Sequence, residues 1–272
     1  MPDLPFDLTR TRIMGVINTT PDSFSDGGRF ADTSLALAHA RRLIDEGADI
    51  LDIGGESTRP GAQKVGVDEE LQRTIPVIEG IRRFSDIPVS IDTSKPEIML
   101  AAAQAGASMI NDVWALRVPG ALQAAAQSGL PVCLMHMLGE PGSMQINPQY
   151  VDVIGEVKTF LRERIEQAIA AGVATDKLLI DPGFGFGKTL QHNLLLLQQL
   201  DVFAAMGYPL LVGMSRKSML GLILDKPVDE RLIGSVAAAV IAAQAGARII
   251  RVHDVAETRD ALAIVDAVRA AY

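Results

Sequence analysis

Short apolar runs alternate with amphipathic segments along the whole chain. The runs are rich in aliphatic residues and end at polar or glycine positions, as buried strands do, and the segments between them repeat apolar residues at helical spacing. The runs predict strands at residues 12–18, 50–54, 89–92, 109–112, 132–136, 178–181, 210–213 and 249–253. The intervening segments predict helices at 33–46, 68–84, 96–105, 119–126, 152–171, 190–206, 230–245 and 257–270. Repeated β-then-α units favour a closed (β/α)8 TIM barrel over an open doubly wound sheet, which usually has fewer strands.

Size and composition fit this interpretation. A chain of 272 residues can form one α/β barrel, so we expect a single domain over residues 1–272. Hydrophobic residues make up 48% and charged residues 21%, and no stretch is long and apolar enough to span a bilayer. The net charge of -8 argues against nucleic-acid or acidic-membrane partners, so an anionic substrate would need a local basic cluster.

Cysteine usage bears on the compartment. The single cysteine, Cys133, lies inside an apolar run and cannot form an internal disulfide, so a buried thiol is the expected state. The start of the sequence lacks the basic-then-apolar layout of an export signal. These features together predict a reducing, cytoplasmic location.

Polar residues collect where the predicted strands end. In a TIM barrel the carboxyl ends of the strands form the active-site face, so side chains at these ends are candidates for function. Any one of them could instead be a structural cap, and Asp181 before Pro182 and a glycine series could belong to a plain strand-to-helix turn. The repetition at nearly every strand argues for a site. The candidates are Asn18, 56–59, Asp92, Asn111, His136, Asp181, Lys217, Arg251 and His253.

Two loops after the first strands combine glycines with acids, an aromatic residue and an arginine. They cover residues 18–28 and 54–61. Loops of this kind over a barrel mouth are either plain connections or lids that close on substrate.

The motifs at the strand ends resemble those of the dihydropteroate synthases, a family of pterin-binding enzymes. The matching stretches are VINTTPDSFSDGG (16–28), DIGGESTRPGA (52–62), SIDTSKP (90–96), INDV (110–113), MHM (135–137), DPGFGFGK (181–188), GMSRKS (213–218) and RVHD (251–254). Thr19 departs from the aliphatic residue more usual there. The resemblance implies a cytoplasmic, Mg²⁺-dependent homodimer that serves folate biosynthesis and is a sulfonamide target. It implies condensation of 6-hydroxymethyl-7,8-dihydropterin pyrophosphate with 4-aminobenzoate, giving 7,8-dihydropteroate and pyrophosphate.

The resemblance also implies roles for individual residues. Pterin binding is expected from Asp92, Asn111, Met135, Asp181, Phe186 and Lys217, and pyrophosphate binding from Asn18, Arg59, Arg251 and His253. Asn18 is the expected ligand of Mg²⁺. Contacts to 4-aminobenzoate are expected from Phe24, Thr58, Arg59, Pro60, Phe186, Lys217 and Ser218. The expected catalytic set is Asp26, Arg59, Lys217, Arg251 and His253. The chemistry agrees, because the amino group and ring N–H at one edge of a pterin suit a carboxylate that accepts with both oxygens.

Two other functions stay open at this point. A pterin-dependent methyl-transfer barrel could share the pterin-binding acids, but it should lack the SRKS turn and the loop at 18–28. A non-catalytic pterin-binding barrel should have lost anion-binding residues such as Arg59 and Arg251, which are present. His136 and Lys188 are expected to support the site or the core rather than to act as catalysts.

Overall fold

The computed structural model describes residues 4–19, 28–57 and 64–271. Each of the eight predicted strands is found there, which confirms the pattern of apolar runs. Three of them are shorter than predicted, because β5 ends before His136, β7 is reduced to two residues, and β8 ends before His253. The strands are β1 Arg12–Asn18, β2 Ile50–Gly54, β3 Val89–Asp92, β4 Met109–Asp112, β5 Val132–Met135, β6 Leu178–Asp181, β7 Leu211–Val212 and β8 Ile249–Val252.

All strand pairs are parallel and form one curved sheet. The order is β6-β5-β4-β3-β2-β1-β8-β7, so chain neighbours are sheet neighbours except where β8 returns to β1. The two ends of this order meet at a parallel bridge between Ile180 and Leu210, next to a hydrogen bond of 3.1 Å from Ile180 N to Pro209 O. This contact closes the sheet into the predicted (β/α)8 barrel.

Helices separate the strands as predicted, with three differences. The first helix begins at Gly28 rather than at residue 33. The segment predicted as one helix at 190–206 is two, because Gln199 leaves helical geometry at φ -114 and ψ 34. A short helix, additional to the eight predicted segments, follows Lys217. The helices are α1 Gly28–Asp45, α2 Val67–Arg82, α3 Pro96–Gln104, α4 Ala121–Ser128, α5 Val153–Ala170, α6 Leu190–Gln198, α7 Leu200–Ala204, α8 Ser218–Leu224, α9 Leu232–Gln244 and α10 Val255–Arg269.

The barrel interior is filled by side chains rather than open. Alternation along a strand sends every second side chain inward. The lowest inward layer is apolar and buried, and residues of the N-terminal segment pack against it. That layer consists of Met14, Ile50, Met109, Cys133, Leu179, Leu211 and Ile249. Since the floor is plugged, any site inside the barrel must open at the carboxyl ends of the strands.

Outward-facing strand residues form a second core under the helices. Ile17, Ile53 and Ile91 are fully buried and belong to this cluster, together with helix residues such as Leu43 and Ile78. This packing holds each strand end in place, so side chains at those ends sit on a rigid frame. Among the described helices, none has both the length and the apolar character needed to cross a bilayer.

Candidate active site

Arg251 connects three strands at the mouth of the barrel. Its Nε donates to Asp52 Oδ2 at 2.6 Å and its terminal nitrogen donates to Asp92 Oδ2 at 3.0 Å. Asn111 also donates from Nδ2 to Asp52 Oδ2, at 3.2 Å. Side chains of β2, β3, β4 and β8 therefore form one network, even though up to 199 residues separate the partners.

The ionisable groups of this network are buried, and burial shifts their pKa values. Burial raises the pKa of Asp92 to about 7, with the charge of Asp52 adding to the rise and Arg251 opposing it. For Arg251, burial acts to lower the pKa, but the carboxylates of Asp52 and Asp92 outweigh it and raise the pKa. The guanidinium thus stays charged between two acids and keeps a cation at the mouth of the barrel.

Asp181 lies at the end of β6, level with Met135 of β5. It is 6% exposed, and its Oδ1 accepts a hydrogen bond of 2.7 Å from Gly183 N. Burial raises its pKa, while the charge of Lys217 and the Gly183 amide act against the rise. The second carboxylate oxygen, Oδ2, makes no hydrogen bond within the described residues, so it can accept from a ligand.

Lys217 brings a second cation to the same place. It precedes α8, and its Nζ donates to Phe184 O and lies 4.6 Å from the centre of the Phe186 ring. Burial lowers its pKa to about 8, with Asp181 acting to raise it and Arg251 to lower it. Charges from β6 and β8 both act on this one amine, which indicates that these strand ends face a common space.

An apolar wall flanks these polar groups. Val113, Met135, Met137 and Met144 form a buried cluster, and Trp114 and Phe186 pack against it. Met135 and Phe186 are thus on the same wall, close to Asp181 and Lys217. A flat heterocycle can stack on thioether and aromatic surfaces of this kind while its edge meets the carboxylate.

Asn18 and His253 occupy the outer part of the mouth. A Cβ added to Gly54 would lie 3.9 Å from Asn18 Oδ1 and 3.7 Å from Asp92 Oδ2, so these two oxygens flank the end of β2. Asn18 and His253 also line one cavity of about 480 Å³, together with His39 and Arg42 of α1. The His253 ring is held by Ser215 Oγ, 3.0 Å from its Nδ1.

The comparisons with known proteins agree with this geometry. The family described as pterin binding enzyme matches residues 14–253. The chain belongs to the pterin-binding enzyme family.

Individual members of the family are similar over almost their whole length. The dihydropteroate synthase of Escherichia coli (strain K12) is 55% identical, over 96% of this chain and 93% of that protein. A crystal structure of the Yersinia pestis dihydropteroate synthase with a sulfonamide drug complex is 54% identical, with a TM-score of 0.94, over 99% of this chain and 98% of that one. The Xanthomonas albilineans dihydropteroate synthase with 4-aminobenzoic acid is 53% identical, with a TM-score of 0.93, over 98% and 96%.

The described part of this pterin-binding enzyme brings together most of the predicted site. Asp92, Asn111, Asp181, Lys217 and Arg251 are linked by contacts or mutual electrostatic effects, and Met135 and Phe186 form the adjoining wall. Asn18 and His253 share the outer cavity. Ser218 begins α8 and is exposed. Phe24, Asp26, Thr58, Arg59 and Pro60 fall outside the described residues, so their roles stay predictions.

Sequence reasoning missed Asp52. From the sequence the stretch around it is a plain buried strand, yet Asp52 is fully buried and holds both Arg251 and Asn111. The sequence signal that could have identified Asp52 is its spacing. Side chains alternate along a strand, so the residue two positions before Gly54 points into the barrel. Glu56 was expected among the strand-end candidates, but it pairs with Lys95, which also contacts the buried Glu70.

The residues present can be compared with what Mg²⁺ requires. In the described chain, no group of three or more His, Cys, Asp or Glu side chains is arranged to hold a metal ion. Mg²⁺ often binds through one or two protein oxygens and completes its shell with waters and phosphate oxygens. The amide oxygen of Asn18, at the end of β1, is a ligand of the type that such a metal takes.

Proposed function

We propose that this protein is a transferase that condenses 6-hydroxymethyl-7,8-dihydropterin pyrophosphate with 4-aminobenzoate, releasing pyrophosphate and giving 7,8-dihydropteroate for folate biosynthesis. Family membership and the similarity to dihydropteroate synthases support this reaction. The single observation that carries the proposal is the convergence of Asp92, Asn111 and Asp181 with the cations Arg251 and Lys217 on one space above a plugged barrel.

Pterin recognition follows from the donors and acceptors of the site. The 2-amino group and adjacent ring N–H donate to the carboxylate of Asp181, while Lys217 donates to the ring carbonyl and N5. Asn111 both donates and accepts, so it can serve a ring nitrogen of either kind, and Asp92 accepts a further N–H. The ring stacks on Met135 and Phe186. A molecule lacking these polar groups would leave buried partners unpaired and would bind poorly.

The pyrophosphate end is assigned to the outer part of the mouth. Arg251 and His253 donate hydrogen bonds to its oxygens there, and Arg59 is expected to join them. Asn18 is the proposed ligand of Mg²⁺. A bound Mg²⁺ supplies charge neutralisation on the leaving group, which together with the fixed cations lowers the barrier to its departure.

The proposed chemistry is dissociative. The bond between the exocyclic carbon and the pyrophosphate oxygen breaks first, and its electron pair leaves with pyrophosphate. The electron-rich dihydropterin delocalises the resulting positive charge, and the carboxylate of Asp26 is proposed to stabilise it. The amine of 4-aminobenzoate then forms the C–N bond and loses a proton to the released pyrophosphate or to water. No strong general base is needed, because an arylamine is already a nucleophile.

Positional isotope exchange tests this order of events. We expect labelled bridging oxygen in the pterin pyrophosphate to scramble into non-bridging positions when 4-aminobenzoate is absent. A substrate that keeps its label in place while the complete reaction proceeds would contradict the dissociative route.

The 4-aminobenzoate site is proposed to lie beside the pterin. The Phe186 ring and the alkyl part of Lys217 offer apolar contact, and the hydroxyl of Ser218 offers a donor to the carboxylate. Phe24, Thr58, Arg59 and Pro60 are proposed to complete this site. Because sulfonamides resemble 4-aminobenzoate in shape, we propose that the same space makes the protein a sulfonamide target.

One assay separates the proposed reaction from the alternatives. Pyrophosphate release is measured with both substrates and Mg²⁺, and then with each component left out in turn. The proposal predicts sustained release and dihydropteroate formation only in the complete mixture. A methyl-transfer barrel or a non-catalytic binding protein would bind pterin yet release no pyrophosphate, and that result would contradict the proposal.

A homodimer in the cytoplasm is proposed for the working protein. Support for the dimer comes from exposed apolar residues on and between α8 and α9, where Leu222 is 68%, Val228 54% and Ile233 78% exposed. An Ile233→Asp variant should sediment as a monomer, whereas the unmodified protein sediments as a dimer. If both sediment alike, this face is not the interface. The buried, unpaired Cys133 agrees with a reducing compartment.

A further inference from the structure

The amine of Lys188 is buried under the glycine-rich loop that follows β6, which is defined here as residues 182–187. Lys188 is 3% exposed. Its Nζ lies 2.9 Å from His136 Nδ1, 2.9 Å from Gly183 O and 3.0 Å from Phe186 O. Burial lowers the pKa of Lys188 well below its usual value, and the charge of Asp181 acts against this effect. Three hydrogen-bonding partners surround the amine, so the buried nitrogen is fully engaged in hydrogen bonds.

His136 is hydrogen-bonded to this amine through its ring nitrogen Nδ1, and which of the two groups donates depends on their protonation. Burial, the charge of Lys188 and that of Arg117 lower the pKa of His136 to about 2. The ring is also fixed by Phe160, which meets it edge-on with centres 4.9 Å apart. His136 is thus a neutral ring near neutral pH, held in place by its neighbours, rather than a proton donor in catalysis.

The loop itself presses against the chain that follows β5. Gly183 has φ +71, and a Cβ added there would lie 1.8 Å from His136 O. A Cβ on Gly187, at φ +63, would lie 2.5 Å from Leu138 O. Only glycine permits this backbone conformation together with so close an approach. Lys188 stabilises the same contact, because its amine is hydrogen-bonded both to the loop and to His136.

The loop contributes a backbone amide, a backbone carbonyl and an aromatic ring to the site. Gly183 N donates to Asp181, and Phe184 O accepts from Lys217. The Phe186 ring lies under the Lys217 amine. A displacement of the loop would therefore move the carboxylate, the amine and the ring that together are assigned to the pterin.

We propose that Lys188 and His136 are a positioning pair, which locks the loop 182–187 in its pterin-binding shape. The inference rests on the proposed function, since it concerns how the same site binds its pterin. Neither member of the pair is a catalytic residue.

Two variants remove the hydrogen bonds of the pair to different extents. Lys188→Met removes all three, whereas His136→Phe removes one and leaves the two bonds from Lys188 to the loop. Lys177→Met is the matched control, because Lys177 Nζ also donates to a backbone carbonyl, Gly129 O at 2.7 Å, but just before β6 at the opposite end of the barrel. The dissociation constant for the pterin pyrophosphate is measured by calorimetry between pH 5 and 8, with thermal unfolding recorded for each variant.

The pair predicts a specific pattern of binding. Lys188→Met should weaken binding at pH 7 by about tenfold or more, the equivalent of losing one hydrogen bond to a charged group. His136→Phe should weaken binding by a smaller factor, and Lys177→Met should leave it unchanged. Because the pair acts through the shape of the loop, kcat at saturating substrate should change less than the dissociation constant.

Other results would overturn the inference. Unchanged affinity in Lys188→Met would do so. If Lys188→Met does not fold, His136→Phe decides, and wild-type affinity there would refute the pair. If the unmodified protein fails to bind the pterin pyrophosphate at all, the proposed function itself has failed, which is a distinguishable outcome.

Discussion

Asp181→Asn should abolish tight pterin binding without weakening the fold. The substitution keeps the size of the side chain and replaces one carboxylate oxygen by an NH2 group. The Gly183 amide, 2.7 Å from Oδ1, requires an acceptor on its side. The new amide is thus held with its oxygen toward Gly183 and its NH2 toward the pocket, where it faces the N–H donors of the pterin.

The size of the effect follows from the hydrogen bonds that the substitution removes. A hydrogen bond to a charged group contributes about 1.5–3 kcal/mol, and leaving a buried donor unpaired costs about 1–3 kcal/mol. A total of about 3–4 kcal/mol corresponds to a dissociation constant raised by two to three orders of magnitude. Calorimetric titration with the pterin pyrophosphate measures this directly.

The thermal stability of Asp181→Asn should not fall along with its pterin affinity. Burial raises the pKa of Asp181, so the folded protein holds this proton more tightly than the unfolded chain does. The group therefore adds stability as the pH falls through its raised pKa, and at higher pH its ionised form works against folding. Asp181→Asn has no such charge and should melt at the same or a higher temperature at pH 8, with less dependence on pH. A dissociation constant within about fivefold of the original, or a parallel fall in melting temperature, would refute this reasoning.

Three further predictions address other parts of the site. Because burial lowers the pKa of Lys217 to about 8, kcat/KM for the pterin substrate should fall as the pH rises past 8; Lys217→Arg should lack that decline, and a retained decline would rule out Lys217 as its source. Ser218→Leu should raise KM for 4-aminobenzoate and leave pterin binding nearly unchanged, so equal losses for both substrates would contradict the assignment. Gly183→Ala should be destabilised by more than about 2 kcal/mol in urea unfolding, since its Cβ cannot fit 1.8 Å from His136 O, and a stability change near zero would show that the loop can shift.

The barrel was predictable from the sequence because its strands leave a local signal. A short aliphatic run with a polar or glycine end marks a buried strand, and five of the eight were located with their observed bounds or nearly so. The shortest elements were the difficult ones. β7 has two residues and α8 has seven, too few for a repeating pattern to stand out. The break at Gln199 left no glycine or proline as a marker.

Site residues could be predicted from the sequence where they lie at the end of a strand. Asp181 and Arg251 follow or end apolar runs, so their position on the active face could be inferred. Asp52 could not be separated from the strand interior in the same way, since its importance comes from a bond to a residue 199 positions away. The proposed role of Lys188 was equally hidden, because its partners include the ring of the residue that follows β5 and carbonyls of a folded loop.

The most direct test of the central claim is a crystal structure of the protein with the pterin pyrophosphate bound. The account predicts that the pterin lies between Met135 and Phe186, with its amino edge on Asp181 and its pyrophosphate toward Arg251 and His253. A pterin bound elsewhere, or bound in this space without contacting Asp181, would contradict the account.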